Sequence, residues 1–535
     1  MKKKILLLSL LFQSLMYSQQ DAWIYLTDKE NVAASISNPI TILTQKAIDR
    51  KNAQGVVIDA RDVPVTESYI TQLKAQIGIT VLAKSKWFNA VHVRGSEADI
   101  NALTVLSFVD YIDFADKSLN TGRPSVQQSK FDTEEALINF VYGNSQVQID
   151  MINLDNLHVS DYTGDGITIA VLDAGFPNVN TMSAFQRLRD NNDLLNGYDF
   201  VNRTSNVYAY TGNSHGTLVL SDMAGFVQDQ FVGTAPDASY YLFRTEDAAT
   251  ENPVEESYWV EAAERADSLG VNIINSSLGY TTYDNPNYSY TPSDMNGLTA
   301  FITKGANIAA EKGILVVNSA GNSGAGSWQI VGAPADAAGV FSIGGVDASG
   351  NYASFSSRGD ASQPTLKPDV VAQAAGPYVI NQSDNITTSN GTSFSSPIMA
   401  GAIACLMQAL PSMSPNQIKQ FIRQSASQYS TPDYFLGYGI PDMQMALNLA
   451  LSVIEFETVQ SKIYPNPVND ILYVQLSSVS ENTEVTIYNV LGKVVLQQKL
   501  SELNSSVDVS SFSSGLYMLS ISSNKNSKTL KLIKS

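Results

Sequence analysis

The chain has 535 residues, 44% of them hydrophobic and only 16% charged, with 51 acidic against 33 basic side chains and a formal charge of −18. That length exceeds what one hydrophobic core serves, and the acidic excess disfavours a nucleic-acid backbone or an anionic lipid surface as partner. A lone cysteine, Cys405, excludes any intramolecular disulfide and reads as a small core residue.

Lys2, Lys3 and Lys4 precede an apolar run from Ile5 to Met16 that is too short to span a bilayer, which predicts a signal peptide over residues 1–18. No later stretch is long and apolar enough for a transmembrane segment. Residues 19–116 alternate strand-like pieces (AWIYLT, GITVLA, AVHVRG, VDYIDF) with helical ones (ILTQKAIDRKN, TESYITQLKAQ, SEADINALTVL), predicting a small α+β domain. His92, between Val91 and Val93, is expected on the solvent face of its strand. Residues 117–140, with LNTGRPSVQQSKFDTEE, read as an exposed linker.

Over 141–453 β-branched apolar runs alternate with amphipathic helices. ITIAVLDAG is continuous enough to be buried on both faces of a parallel sheet. PVEESYWVEAAERADSLG leads to VNIINSSLG, and NGLTAFITKGANIAAEKG to ILVVNSAGN. Two helix-to-strand units predict a doubly wound α/β domain, whose ligands sit at the carboxyl ends of the strands. From 454 to 535 the pattern of ILYVQLSS, EVTIYNVLG, KVVLQQKL, GLYMLSISS and KTLKLIK predicts an all-β sandwich.

Histidine is the side chain best suited to proton transfer near neutral pH, and there are three. His158 is assigned a structural role. His215 opens a helix-like run with Gly216 and Thr217 behind it, leaving room for a second group. Asp173 closes an apolar strand, where a carboxylate is costly unless paired, and an imidazole N–H would pair it. Ser393, in NGTSFSSPIMAGAIACL, stands where a polar turn meets a helix, so it reads either as a helix cap or as a nucleophile, and one position can serve both. Asn322 ends a strand and offers an amide to an oxyanion.

VLDAG around Asp173, SHGT around His215, SSLG ending with Ser277, Leu278 and Gly279, SAGN ending at Asn322, FSSRG with KPDVVA, and NGTSFSSP around Ser393 stand in one order along the chain. Together they resemble the subtilisin-like serine proteases, whose own order is Asp, His, Ser. The resemblance implies a secreted serine endopeptidase with an acyl-enzyme intermediate, Asp173, His215 and Ser393 as triad, and Asn322 at the oxyanion. An edge strand carrying Ser277, Leu278 and Gly279 would pair with protein or peptide substrates, with Ala320 and Gly321 across the pocket and Trp328 near its rim or in the packing. No cofactor is implied for the chemistry; family members often bind calcium, but no ligand loop maps residue by residue, so no metal ligand is assigned. Two departures stand out: Ala174 replaces the usual Ser or Thr, and KPDVVAQAAG lacks a Pro-Gly near Gln373 and Ala374.

The N-terminal domain resembles the inhibitory propeptide of these proteases, an intramolecular inhibitor cut off by the enzyme itself within the linker; an accessory binding domain is the alternative. The C-terminal domain resembles the type A sorting domains of the type IX secretion system, implying export through the periplasm to the surface or medium, against a carbohydrate-binding sandwich. A monomer is expected. The runner-up function is a catalytically inactive binding or adhesion protein on the same fold; an esterase fits worse, because Ser393 lacks a G-x-S-x-G elbow.

Overall fold

The computed structural model describes residues 19–119, 140–458, 462–476, 483–490, 492–523 and 526–535, so the expected signal peptide and most of the linker lie outside the described residues. The chain divides between Ala446 and Leu447 into two compact units.

In the first unit, β1 (Gln19–Leu26), β2 (Thr80–Ser85), β3 (Ala90–Ser96) and β4 (Val109–Phe114) form an antiparallel sheet in the order β2-β3-β1-β4. Period-two alternation sends Ala22, Ile24, Val91 and Val93 to one face, where Ile70, Leu73 and Ile100 of two helices cover them. The other face does not meet solvent. Trp23 and Trp87 join the core of the following domain, and Trp23 stacks on Phe301 at 4.5 Å.

His92 sits opposite Trp23 on that second face, so the expected exposed histidine is buried, at 1%. Its Nε2 lies 2.9 Å from Asp21 Oδ1 and its Nδ1 2.8 Å from Ser257 Oγ. The alternation is as read, but the face is covered by the Val254–Leu269 helix, far along the chain.

The central domain follows with β5 (Thr168–Asp173), β6 (Tyr198–Asp199), a ribbon of β7 (Phe226–Val227) and β8 (Phe231–Val232), then β9 (Ser239–Arg244), β10 (Ile273–Ser276), β11 (Leu315–Ser319), β12 (Phe341–Val346) and β13 (Val370–Gln373). Seven of them make a parallel sheet in the order β13-β12-β11-β10-β5-β9-β6. The Val254–Leu269 and Phe301–Glu311 helices are the crossovers into β10 and β11. Gly270, at φ 83°, ends the first of them in the left-handed conformation that glycine adopts without strain. β14 (Ala375–Ile380) and β15 (Ile386–Asn390) form a hairpin that delivers the chain to the Thr392–Ala409 helix. The region lacking Pro-Gly is regular: Ala374 is buried, donates to the Val346 carbonyl, and accepts from the Gly391 N–H at 2.9 Å.

The Thr392–Ala409 helix is buried almost all round and lies on β10 to β13. Close approach explains its small residues. A Cβ on Gly401 would come within 2.0 Å of Thr234 Oγ1. Gly401→Val overpacks this contact and is expected to cost about 1–3 kcal/mol, read as a lowered unfolding midpoint. Cys405 is buried on the same helix and donates to the Thr234 carbonyl, and the fully buried His158 meets that carbonyl through Nε2 at 3.0 Å. Tyr142 Oη engages its other nitrogen, and burial holds the ring's pKa down to about 4, a structural histidine as read.

The second unit holds β16 (Lys462–Tyr464), β17 (Ile471–Gln475) and β20 (Asn504–Asp508) in one antiparallel sheet. β18 (Glu484–Asn489), β19 (Val494–Lys499), β21 (Gly515–Ser523) and β22 (Asn526–Lys534) form the other. Leu472, Val474, Ile487, Val507 and Leu519 fill the core. Among the described residues no helix is long and apolar enough to cross a membrane.

Candidate active site

β5 and its neighbours bring the candidate residues to one end of the sheet. Asp173 is the last residue of β5 and fully buried. Its Oδ1 accepts from the Ala174 backbone N–H at 2.7 Å and lies 2.8 Å from His215 Nδ1. Its Oδ2 is buried with no hydrogen-bond partner. Backbone and imidazole thus both engage Oδ1, and the Ala174 methyl offers Oδ2 no donor.

His215 begins the His215–Ala224 helix, and Asn213 Oδ1 takes its backbone N–H at 2.8 Å. Gly216 lets the helix start against the strand: a Cβ there would meet the Asp173 Cβ at 2.9 Å. The His215 side chain keeps 31% of its surface open, and its ring lies 6.0 Å from that of Phe394. Burial opposes a proton on the ring, but the Asp173 charge and hydrogen bond, and Glu246 behind them, raise its pKa above that of an ordinary imidazole.

Ser393 is nine-tenths buried at the second position of its helix. It is not the cap. Gly391 holds that position, so the expectation that one serine both caps and attacks fails in its first half. What ties Ser393 in place is its carbonyl, which accepts from Ser277 Oγ at 2.8 Å. The backbone N–H of Ser393 belongs to the first turn, whose donors have no intrahelical acceptor.

Asn322 is exposed and firmly oriented. Its Oδ1 accepts from Thr392 N at 2.8 Å and Thr392 Oγ1 at 3.0 Å, which turns Nδ2 outward as a donor. Gly321 N donates to the same Thr392 hydroxyl at 3.1 Å, and Ala320 N is bonded to the Ile343 carbonyl.

Ser277, Leu278 and Gly279 do not form an edge strand of the sheet. β10 is central and ends at Ser276; the three residues run on beyond its pairing with β5 and β11, where Asn318 Nδ2 holds the Leu278 carbonyl at 2.9 Å. Gly279 is open, with only the Ala333 carbonyl near a would-be Cβ, at 3.8 Å. Trp328 packs, half-buried, against the main core.

Two residues here have no mark in the sequence reading. Arg244, level with Asp173 on β9, is buried, donates to the Ala174 carbonyl at 3.2 Å and pairs with Asp199 at 3.0 Å. Glu246, two residues on, accepts from Tyr280 Oη, and burial pushes its carboxyl up to about 8. Among the described residues no group of three or more His, Cys, Asp or Glu is placed to hold a metal ion.

Residues 164–439 match the model of the subtilase family, peptidase S8, which is more than half the chain. The chain belongs to the subtilase family. Residues 21–133 of this subtilase match the peptidase S8 propeptide domain of Bacteroidota, and residues 462–535 the secretion-system C-terminal sorting domain. It is 30% identical over 300 residues to subtilisin DY of Bacillus licheniformis, covering 56% of this chain and 97% of that protein. An alkaline protease of Alkalihalobacillus alcalophilus is 28% identical over 384 residues, 71% of this chain and 85% of its own. A solved structure of MycP1 with its N-terminal propeptide removed aligns at 22% identity over 56% of this chain and 96% of its own, with a TM-score of 0.45. The subtilase is a serine endopeptidase with a propeptide and a sorting tail, which places it at the cell surface or outside the cell.

Proposed function

We propose that this subtilase cuts peptide bonds through Asp173, His215 and Ser393, and that it first cuts its own precursor between the propeptide and the peptidase domain. The observation that carries the reading is the 2.8 Å contact between the buried Asp173 carboxylate and His215 Nδ1, at a strand end beside the Ser393 helix. With its proton on Nδ1 the ring keeps the Nε2 lone pair free, and Nε2 takes the Ser393 hydroxyl proton as Oγ attacks the scissile carbonyl. Charge then develops on the substrate oxygen, where Asn322 Nδ2 and the Ser393 backbone N–H donate. The imidazolium, stabilised by Asp173, returns its proton to the leaving amine, and water repeats the cycle on the acyl-enzyme. The substrate main chain runs beside Ser277, Leu278 and Gly279, with Ala320 and Gly321 across from it.

Self-processing is tested by incubating the purified precursor alone and sequencing the new N-terminus, expected within 117–140. A precursor that stays whole at every concentration and pH would sink it. Asn322→Leu removes one oxyanion donor and is expected to lower kcat about 100- to 1000-fold with KM little changed, a magnitude established on the equivalent subtilisin residue. A KM effect alone would assign Asn322 to ground-state binding.

A further inference from the structure

Where the Gln45–Ala53 helix of the propeptide meets the C-terminal ends of the Val254–Leu269 and Phe301–Glu311 helices, five charged side chains are enclosed together and a sixth, Asp59, stands at the rim, 32% exposed. Asp267 accepts from Arg50 Nη2 at 2.5 Å and from Lys51 Nζ at 2.8 and 3.0 Å. Lys51 Nζ also lies 3.1 Å from Asp62 Oδ1. Lys312 Nζ continues the chain of contacts at 2.8 Å from Asp62 Oδ2 and 3.1 Å from Asp59 Oδ1, while its carbonyl accepts from Arg50 Nη1 at 2.8 Å. The side chains of Lys51, Asp62 and Asp267 are 0% exposed, Lys312 1% and Arg50 4%. Lys86 stands further off, 3.8 Å from Asp267, and bonds Ser268.

The propeptide brings Arg50, Lys51, Asp59 and Asp62, and the peptidase domain Asp267 and Lys312, so three cations face three carboxylates. Such a cluster adds little net attraction, because each charge gives up its water; the stacked Trp23 and Phe301 face supplies that. What it supplies is a penalty for mismatch, since losing one member strands the others in a dry site. Asp267 shows the same logic from its own helix. It stands in the last turn, where the helix dipole favours cations, so it does not serve helix stability. Burial raises its pKa, but the cations of Lys51, Lys86 and Arg50 outweigh this and hold it well below the usual carboxylate range.

We infer that this cluster is a charge lock by which the peptidase domain selects its own propeptide: a docking propeptide must offer cations at 50 and 51 to Asp267 and a carboxylate at 62 to Lys312. The inference rests on reading the N-terminal domain as the docked propeptide and not on the catalytic roles above.

The test is amide hydrogen exchange on the full-length Ser393→Ala chain, reading β1 to β4, with β5, β10 and β11 as the internal reference for a folded peptidase domain. Asp267→Asn leaves three cations against two carboxylates, and exchange in the propeptide strands rises on the order of a hundredfold or more. Lys51→Met has the same effect although it adds apolar surface. The double variant restores the balance and returns exchange to within about tenfold of the parent. Arg61→Gln, which breaks the more open pairs of Arg61 with Glu311 and with Asp59 at the rim, changes it less than about threefold. Where Asp267→Asn does not accumulate folded, Lys51→Met against the double carries the same comparison. Unchanged or slower exchange in the single variants, or a double as fast as the sum of both, overturns the lock. Cutting of the Ser393→Ala chain would count against the catalytic reading alone, because exchange is read on the docked propeptide either way.

Discussion

Ser393→Ala is expected to leave the precursor whole and to lower kcat on a protein substrate by about a millionfold, the size established for this change in subtilisin itself. The loss is chemical and not structural. The helix is held through the Ser393 carbonyl, which Ser277 Oγ engages, so removing the hydroxyl takes away none of the contacts that place it. The unfolding midpoint of the variant should therefore match that of the parent precursor before it is cut. His215→Ala should cost about as much, and combining the two should add almost nothing, because a nucleophile without its base and a base without its nucleophile fail at the same step. Two independent losses that multiplied would show that the residues do not act as a unit.

Asp173→Asn is expected to cost about ten-thousandfold in kcat. An amide in place of the carboxylate presents N–H to His215 Nδ1, so Nδ1 must accept, the ring proton moves to Nε2, and no lone pair remains for the Ser393 hydroxyl. The pH profile gives an independent sign. Activity requires a neutral ring, so it rises with pH through the His215 pKa, which Asp173 holds above that of an ordinary imidazole. Removing the carboxylate takes away the main influence raising that pKa and leaves burial to lower it, so the acid limb of the residual activity moves to lower pH. A limb that moved to higher pH would contradict the pairing.

Local rules reached far into this chain because its helices and strands announce themselves. Gly270 was readable as a helix end from its place after an amphipathic run, and it adopts the conformation that role demands. The four propeptide strands lie on the strand-like pieces AWIYLT, GITVLA, AVHVRG and VDYIDF, and β17 keeps its apolar alternation in the C-terminal unit. What escaped depends on partners distant in sequence. His92 alternates as a surface residue would, yet its cover, the helix carrying Ser257, arrives 165 residues later. Glu246 follows a strand whose local pattern, SYYLFR, says nothing of its neighbours; it comes near His215 only because Arg244 aligns with Asp173 across β5 and β9. Arg50 and Lys51 look like an ordinary basic helix end, and Asp267 stands more than 200 residues away. The misplacement of Ser277, Leu278 and Gly279 on an edge strand has the same origin, since strand order in a parallel sheet is set by crossovers and not by the strand's own residues.

The most direct test of the central claim is to treat the processed enzyme with an acylating or phosphonylating serine reagent and map the adduct by mass spectrometry. A single adduct on Ser393 Oγ, absent in Ser393→Ala and strongly slowed in His215→Ala, is the predicted result; an adduct on another serine, or full activity after complete modification of Ser393, would contradict it.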